Sequence, residues 1–248
     1  MPAIVEADDD GLYVLKFRGA GQGPKALIAE VIAGELARSA GLPVPEIVLM
    51  TLDVELARTE PDPEIQELIR ASAGLNLALD YLPGSITFDP LTQLPGAAVP
   101  SAAVASQIVW LDAYVTNIDR TARNTNLLIW HRQLWLIDHG AALYFHHAWE
   151  PGADVEALAA KPFAMIRDHV LLPMVSDLDD ADRTMHEKLT ASEIDRVVAL
   201  VPEEWLLAAE PDRPVEVHRL DYSHYLQRRL AASSNFVQEA HRARAAHV

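Results

Sequence analysis

The chain has 248 residues, half of them hydrophobic and 23% charged, with a net charge of −16. So acidic a surface argues against binding nucleic acid or anionic membranes, which needs clustered lysine and arginine. The absence of cysteine excludes disulfides, thiolate zinc sites and cysteine nucleophiles. No signal pattern opens the sequence and no apolar run reaches membrane-spanning length, so the reading is a cytoplasmic protein large enough for two lobes around a substantial core.

From the N-terminus, Ile4–Ala7 and Leu12–Phe17 flank Asp8-Asp9-Asp10-Gly11, which predicts a hairpin with Lys16 near the end of its second strand. Gly19-Ala20-Gly21-Gln22-Gly23-Pro24 leads into a helix. Pro24 suits its first turn, Leu27, Ile28, Val31, Ile32 and Leu36 form its apolar stripe, and Gly41 and Pro43 stop it. Glu30 lies beside that stripe. Val44–Leu52 reads as a strand, Pro63–Ser72 as a short helix ended by Gly74, and Asn76–Leu82 as a strand running into Pro83-Gly84. Proline, glycine and threonine make Ser85–Pro100 a loop. Val99–Val115 is a helix on the spacing of Val104, Ile108, Leu111 and Val115, and Asp112 on it is a satisfied or solvated acid.

Two short apolar runs follow, Leu127–Trp130 and Leu134–Ile137, joined by His131-Arg132 and ending on Asp138-His139-Gly140. Each reads as a strand covered on both faces. Beyond them Ala141–Trp149 carries Tyr144 and the pair His146-His147, which lacks a third ligand at metal spacing. Val155–Met165 and His169–Met174 are apolar helical patches around Lys161-Pro162. Asp177–Asp182 reads as an acidic loop capping the next helix, Ser192–Leu200 and Glu203–Ala209 as helices, and Leu220–His241 as a terminal helix. Arg228, Arg229, Arg242 and Arg244 make a solvated face. Strands first and helices second give an α+β fold with two lobes, residues 1–84 and 85–248, and a cleft between them.

The chemistry concentrates in N-I-D-R-T-A-R-N-T-N, residues 117–126, and the hairpin after it. Pairing the two strands returns Asp138 to the loop holding Asp119 and Asn124, so that two carboxylates and an amide surround one point. Phosphoryl transfer needs such a set: one carboxylate to orient the attacking hydroxyl and take its proton, and a second carboxylate with an amide oxygen to hold Mg²⁺ against the phosphates of ATP. Asp119 is then the base, and Asn124 and Asp138 are the metal ligands.

The run D-R-x-x-x-N, a hairpin and then I-D-H-G resembles the catalytic and metal-binding segments of the HipA-like kinases. It is also similar to those of phosphoinositide kinases and, in spacing, of protein kinases. Where protein kinases carry Phe after the metal-binding Asp, this chain has His139. The resemblance implies that Lys16 holds the ATP phosphates and pairs with Glu30 of the following helix, and the Gly41-Leu42-Pro43-Val44 turn favours Glu30 over Glu35. It implies a hinge at Asp80, Tyr81 and Leu82 whose backbone meets adenine, and an activation segment at Ala141–Trp149. ATP and Mg²⁺ are the implied cofactors, a serine or threonine of a protein the implied acceptor, and an antitoxin-like protein a partner of the kind some members have. The hairpin occupies the residues before Lys16, so the glycine loop that kinases carry upstream of this strand is missing, shortened or replaced. Either Gly19–Gly23 with Lys25 substitutes for it, or nucleotide binding is weak. Two rival readings stand beside the kinase: a nucleotide-binding pseudokinase acting as an interaction module, and a metal-dependent phosphohydrolase using Asp119, Asp138 and His139.

Overall fold

The structure is a computed structural model that describes residues 2–21, 23–91, 100–149 and 154–246. Strands β1 (Pro2–Glu6) and β2 (Leu12–Lys16) form the expected hairpin. The Asp9 carboxylate closes its turn by accepting from the Gly11 N–H and the Tyr13 hydroxyl. Helix α1 (Pro24–Ser39) starts with Pro24 in its first turn, where the missing N–H costs nothing. Strand β3 (Ile47–Leu52), a 3₁₀ turn at Val54–Arg58, helix α2 (Pro63–Ala71) and strand β4 (Gly74–Asp80) complete an antiparallel sheet of order β1-β2-β4-β3. Gly74 is not what ends α2, whose C-cap is Ser72. At φ 98° it opens β4 opposite Leu52, so the strand begins two residues before the expected Asn76 and leaves Tyr81 and Leu82 outside it.

One face of this sheet puts Leu15, Phe17 and Ala78 into a small core under Ala57 of the 3₁₀ turn and Ile69 of α2. The other face sends Leu77 and Leu79 into the main core with Ile28, Ile32 and Leu36 of α1. That core continues through α3 (Ala102–Tyr114) to the C-terminal helices. Val99, where the sequence places the start of α3, lies outside the described residues. Within the expected loop Ser85–Pro100, Ile86–Thr87 is a short strand, β5, paired with β6 (Leu127–Trp130), which pairs in turn with β7 (Gln133–Leu136).

After the hairpin come a 3₁₀ turn (Tyr144–Ala148), α4 (Val155–Ala159), two further 3₁₀ turns (Ala164–Asp168 and Leu172–Met174), and α5 (Leu178–Lys188), α6 (Ala191–Ala199), α7 (Glu203–Ala209), α8 (Val215–Ala231) and α9 (Ser233–Ala246). Three expectations are corrected here. The acidic run is helical: Asp177 caps α5, and Asp179 and Asp180 fill its first turn, where carboxylates favour the helix dipole by about 0.3–1 kcal/mol each. The terminal helix is two, broken at Ala232 between Ala231 and Ser233. Arg229 is buried instead of solvated. Its guanidinium donates to the carbonyls of Ala113 and Tyr114 at the end of α3 and of Ala159 and Lys161 at the end of α4, supplying partners that helix C-termini otherwise lack. Among the described residues no helix is long and apolar enough to cross a membrane.

Candidate active site

Lys16 ends β2 with its amine held between two carboxylates, 2.6 Å from Glu30 Oε2 and 2.7 Å from Asp138 Oδ1. These three residues are 14 and 122 positions apart in sequence, and the packing of α1 against the sheet and of the β6–β7 hairpin below it brings them together. Glu30 is fully buried whereas Asp138 is half exposed. Burial alone would raise the Glu30 pKa, but Lys16, by its charge and hydrogen bond, together with His139 outweighs it and holds the carboxyl well below its ordinary range. Burial likewise works to lower the Lys16 pKa, and Glu30 with Asp138 reverses that into a net increase. The pair is therefore charged on both sides at neutral pH.

A cavity of about 250 Å³ opens beside this cluster, lined by Lys16, Glu30, Asp138 and Gly140 on one side and by Gly21 and Gly23 on another. Both of those glycines take positive φ, 55° and 65°, a conformation that costs other residues dearly. Lys25 does not share the cavity wall: its amine donates to the His146 carbonyl at 2.7 Å and stands 3.6 Å from Glu210. Of the proposed substitute loop, the glycine backbone faces the cluster and the lysine does not.

Asp119 and Asn124 sit in the loop after α3. The Asn124 side-chain amide donates to Asp119 Oδ2 at 2.6 Å and that of Asn126 to the same oxygen at 3.3 Å. This fixes the carboxylate and turns the Asn124 carbonyl oxygen away from it. The loop is tied to the strand leading to Asp138 by Arg120, whose guanidinium donates to both the Asn126 and Ile137 carbonyls, and by the Ile137 N–H, which donates to Asn126 O at 3.1 Å. Asn124, Asn126 and Ile137 share the wall of a second cavity of about 340 Å³.

Below the loop is a buried network that the sequence reading undervalued. Asp112 on α3 accepts from Arg120 Nε at 2.6 Å, from Asn117 Nδ2 at 3.0 Å and from His169 Nε2 at 2.8 Å. It is a satisfied acid, as expected, and also the anchor of the loop. Burial pushes its pKa up, and Arg120 with His169 drives it well below the ordinary value. One signal was available: an acid beside Leu111, in the apolar face of a helix, demands a partner.

His139 is fully buried under α1, its Nδ1 3.6 Å from Glu30 Oε1 and neither ring nitrogen hydrogen-bonded among the described residues. Gly34 on α1 makes room for Ile47, whose Cδ1 a Cβ there would meet at 2.5 Å, whereas His139 Nδ1 at 3.7 Å would be an ordinary contact. At the expected hinge the Asp80 N–H donates to Glu46 O and the Tyr81 N–H to Leu12 O. Of the three hinge N–H groups, only that of Leu82 has no partner among the described residues. His146 is buried with Nδ1 3.1 Å from the Tyr222 hydroxyl, and no group of three acids or histidines able to hold a metal occurs among the described residues.

A family model described as HipA-like kinase matches residues 1–239. Among solved structures the chain is similar to a proinflammatory kinase of Helicobacter pylori, CtkA, with a TM-score of 0.58 at 15% identity over 100% of this chain and 95% of that one. A likeness at that identity speaks for the fold alone, and the fold is that of a kinase. No curated protein matches the chain.

Proposed function

The chain belongs to the HipA-like kinase family, and from that membership we propose that it is an ATP- and Mg²⁺-dependent phosphotransferase acting in the cytoplasm on a serine or threonine hydroxyl of a protein. The observation that carries the proposal is the Lys16 amine bridging Glu30 and Asp138 at the mouth of a cavity. A buried glutamate that fixes a lysine beside a half-exposed aspartate is the arrangement phosphate binding requires. The division into a nucleotide-binding lobe, residues 1–84, and a catalytic lobe, residues 85–248, belongs to the same reading, as does adenine at Leu82.

Each side chain then has one task. Asp119, with Oδ2 occupied by Asn124 and Asn126, keeps Oδ1 for the acceptor hydroxyl, orients it and takes its proton. Lys16 gives its charge to the phosphates, and Glu30 keeps the amine aimed. The Asn124 carbonyl oxygen and the Asp138 carboxylate are hard donors of the kind Mg²⁺ takes, and they would hold it. When bound, ATP and Mg²⁺ supply the transferable phosphoryl group and the positive charge that screens it. Gly21 and Gly23, which line the same cavity, would offer their backbone to the phosphates.

The test incubates the protein with labelled ATP and Mg²⁺ beside Asp119→Ala and Asp138→Ala. ATP consumption or self-labelling that both substitutions abolish supports the proposal. Nucleotide binding without turnover replaces it with the interaction module, and hydrolysis of phosphate esters without nucleotide replaces it with the phosphohydrolase.

A further inference from the structure

Of the 20 lysines and arginines in the chain, three have side chains with neither an ion pair nor a hydrogen bond among the described residues: Arg123, Arg132 and Lys161. In so acidic a protein carboxylates abound as partners, so a cation left over is informative. Arg132 lies in the β6–β7 turn and Lys161 just beyond α4. Arg123 alone stands in the candidate active site, exposed and immediately before Asn124.

Its backbone is held in place on both sides. Arg120 is buried against Asp112, the Thr121 N–H donates to the carbonyls of Asp119 and Asn124, and the Thr125 hydroxyl donates to Phe88 O. The loop backbone is hydrogen-bonded on both sides of Arg123, while the Arg123 side chain has neither an ion pair nor a hydrogen bond among the described residues. It lines the 340 Å³ cavity together with Asn124, and the acid on that wall, Asp89, makes no ion pair with it.

The Lys16 cavity and the Arg123 cavity share no lining residue. Lys16 already serves the side on which Asp138 stands, which leaves Arg123 for a second anion. We propose that Arg123 is a specificity-determining residue that binds a carboxylate flanking the hydroxyl acceptor, so that the protein selects acidic acceptor sequences. The inference rests on the phosphotransferase reading above. The overall negative charge does not oppose it at close range: at physiological ionic strength the screening length is about 8 Å, so a contacting guanidinium dominates over the distant field.

Fluorescently labelled serine peptides of one length, flanked by Glu, Ala or Lys, are titrated against the protein with Mg²⁺ and a non-hydrolysable ATP analogue, and binding is read by anisotropy. The Glu-flanked peptide is expected to bind about two- to fivefold tighter than the Ala-flanked one, the scale of a single exposed ion pair. Arg123→Glu should invert the order in favour of the Lys-flanked peptide, and Arg123→Lys should preserve it. An unchanged order in Arg123→Glu overturns the assignment, as does the absence of any peptide binding. It is equally overturned if Arg123→Ala weakens the ATP analogue while the peptide order persists, because the guanidinium then serves the nucleotide. Charge-ordered peptide binding in a protein that never consumes ATP upholds Arg123 and removes only the catalytic reading.

Discussion

Lys16→Met isolates what the central ion pair does for the fold. The substitution keeps most of the aliphatic bulk and deletes the charge, leaving Glu30 fully buried with its Oε2 partner gone. His139 stands beyond hydrogen-bonding distance of the other oxygen. Stripping one partner from a buried pair costs about 3–5 kcal/mol, most of it the penalty of a stranded charge. For a chain of this length that lowers the Tm by roughly 6–20 °C, at about 2–4 °C per kcal/mol. Asp138 adds little to the loss because, half exposed, it is rehydrated. The double variant Lys16→Met/Glu30→Gln removes both charges and should lose only about 1–2 kcal/mol, the scale of a lost hydrogen bond with an unsatisfied amide.

The pH dependence carries a sign that separates this cause from simple loss of packing. In the wild type the Glu30 pKa is held below its ordinary 4.5, so its contribution is present above pH 4.5 and is lost as the pH falls through the lowered value. Without Lys16, burial, the largest single effect on this carboxyl, is opposed by His139 alone, and the folded pKa is expected to rise above 4.5. The contribution is then present below 4.5 and lost as the pH rises through the raised value. The stability gap between wild type and Lys16→Met must therefore widen from pH 4.5 upward. Urea unfolding at a series of pH values measures it. A cost below about 1 kcal/mol at neutral pH, a gap that does not grow, or a double variant no more stable than the single one would each refute the reasoning.

Two other perturbations follow from the buried groups. Asp112→Asn leaves the Arg120 guanidinium uncompensated in a closed interior, so about 3–5 kcal/mol of stability should go and turnover should fall as the Asp119 loop loosens; unfolding and ATP consumption are both measured, and a variant within 1 kcal/mol of wild type contradicts the anchoring role. His146 is kept neutral by burial, with the His147 and Lys25 charges adding to the effect, its pKa well below 6.5. The unfolded chain protonates it first, so stability is lost as the pH falls from 6.5 toward that lowered value, at up to about 1.4 kcal/mol per pH unit, and His146→Gln should flatten this part of the curve; parallel curves between pH 6.5 and 5.5 exclude it.

What was legible in the sequence was local. The loop with Asp119 and Asn124 and the hairpin carrying Asp138 are contiguous in sequence, so their spacing suggested a shared site, and the structure ties that loop to Ile137, the residue before Asp138. β6 has the expected bounds and β7 is displaced by one residue, because His131 and Arg132 both adopt left-handed φ, 46° and 63°, and make a tight two-residue turn. Neither residue is the glycine or asparagine that announces such a turn. The Lys16–Glu30 contact was reachable only by resemblance, since nothing in residues 16–30 fixes the helix rotation. The links of His169 to Asp112 and of Arg229 to the carbonyls of α3 span 57 and about 115 positions. They depend on how helices pack, which periodicity does not encode.

Arg120 shows why the second letter of D-R matters as much as the first. Asp119 and Asp138 lie on different segments, and their relative position is set by what joins those segments. That join is a fully buried guanidinium spanning Asp112, the Asn126 carbonyl and the Ile137 carbonyl. For stability alone this is a poor choice: desolvating two charges often cancels their attraction, and well-packed apolar residues of similar volume serve as well or better. An apolar pair at positions 112 and 120 could press α3 against the loop, yet it could not bond carbonyls from two separate strands of chain and hold their spacing. A geometric demand explains the ion pair where a stability demand does not, and the groups whose geometry it fixes are those the proposed chemistry needs.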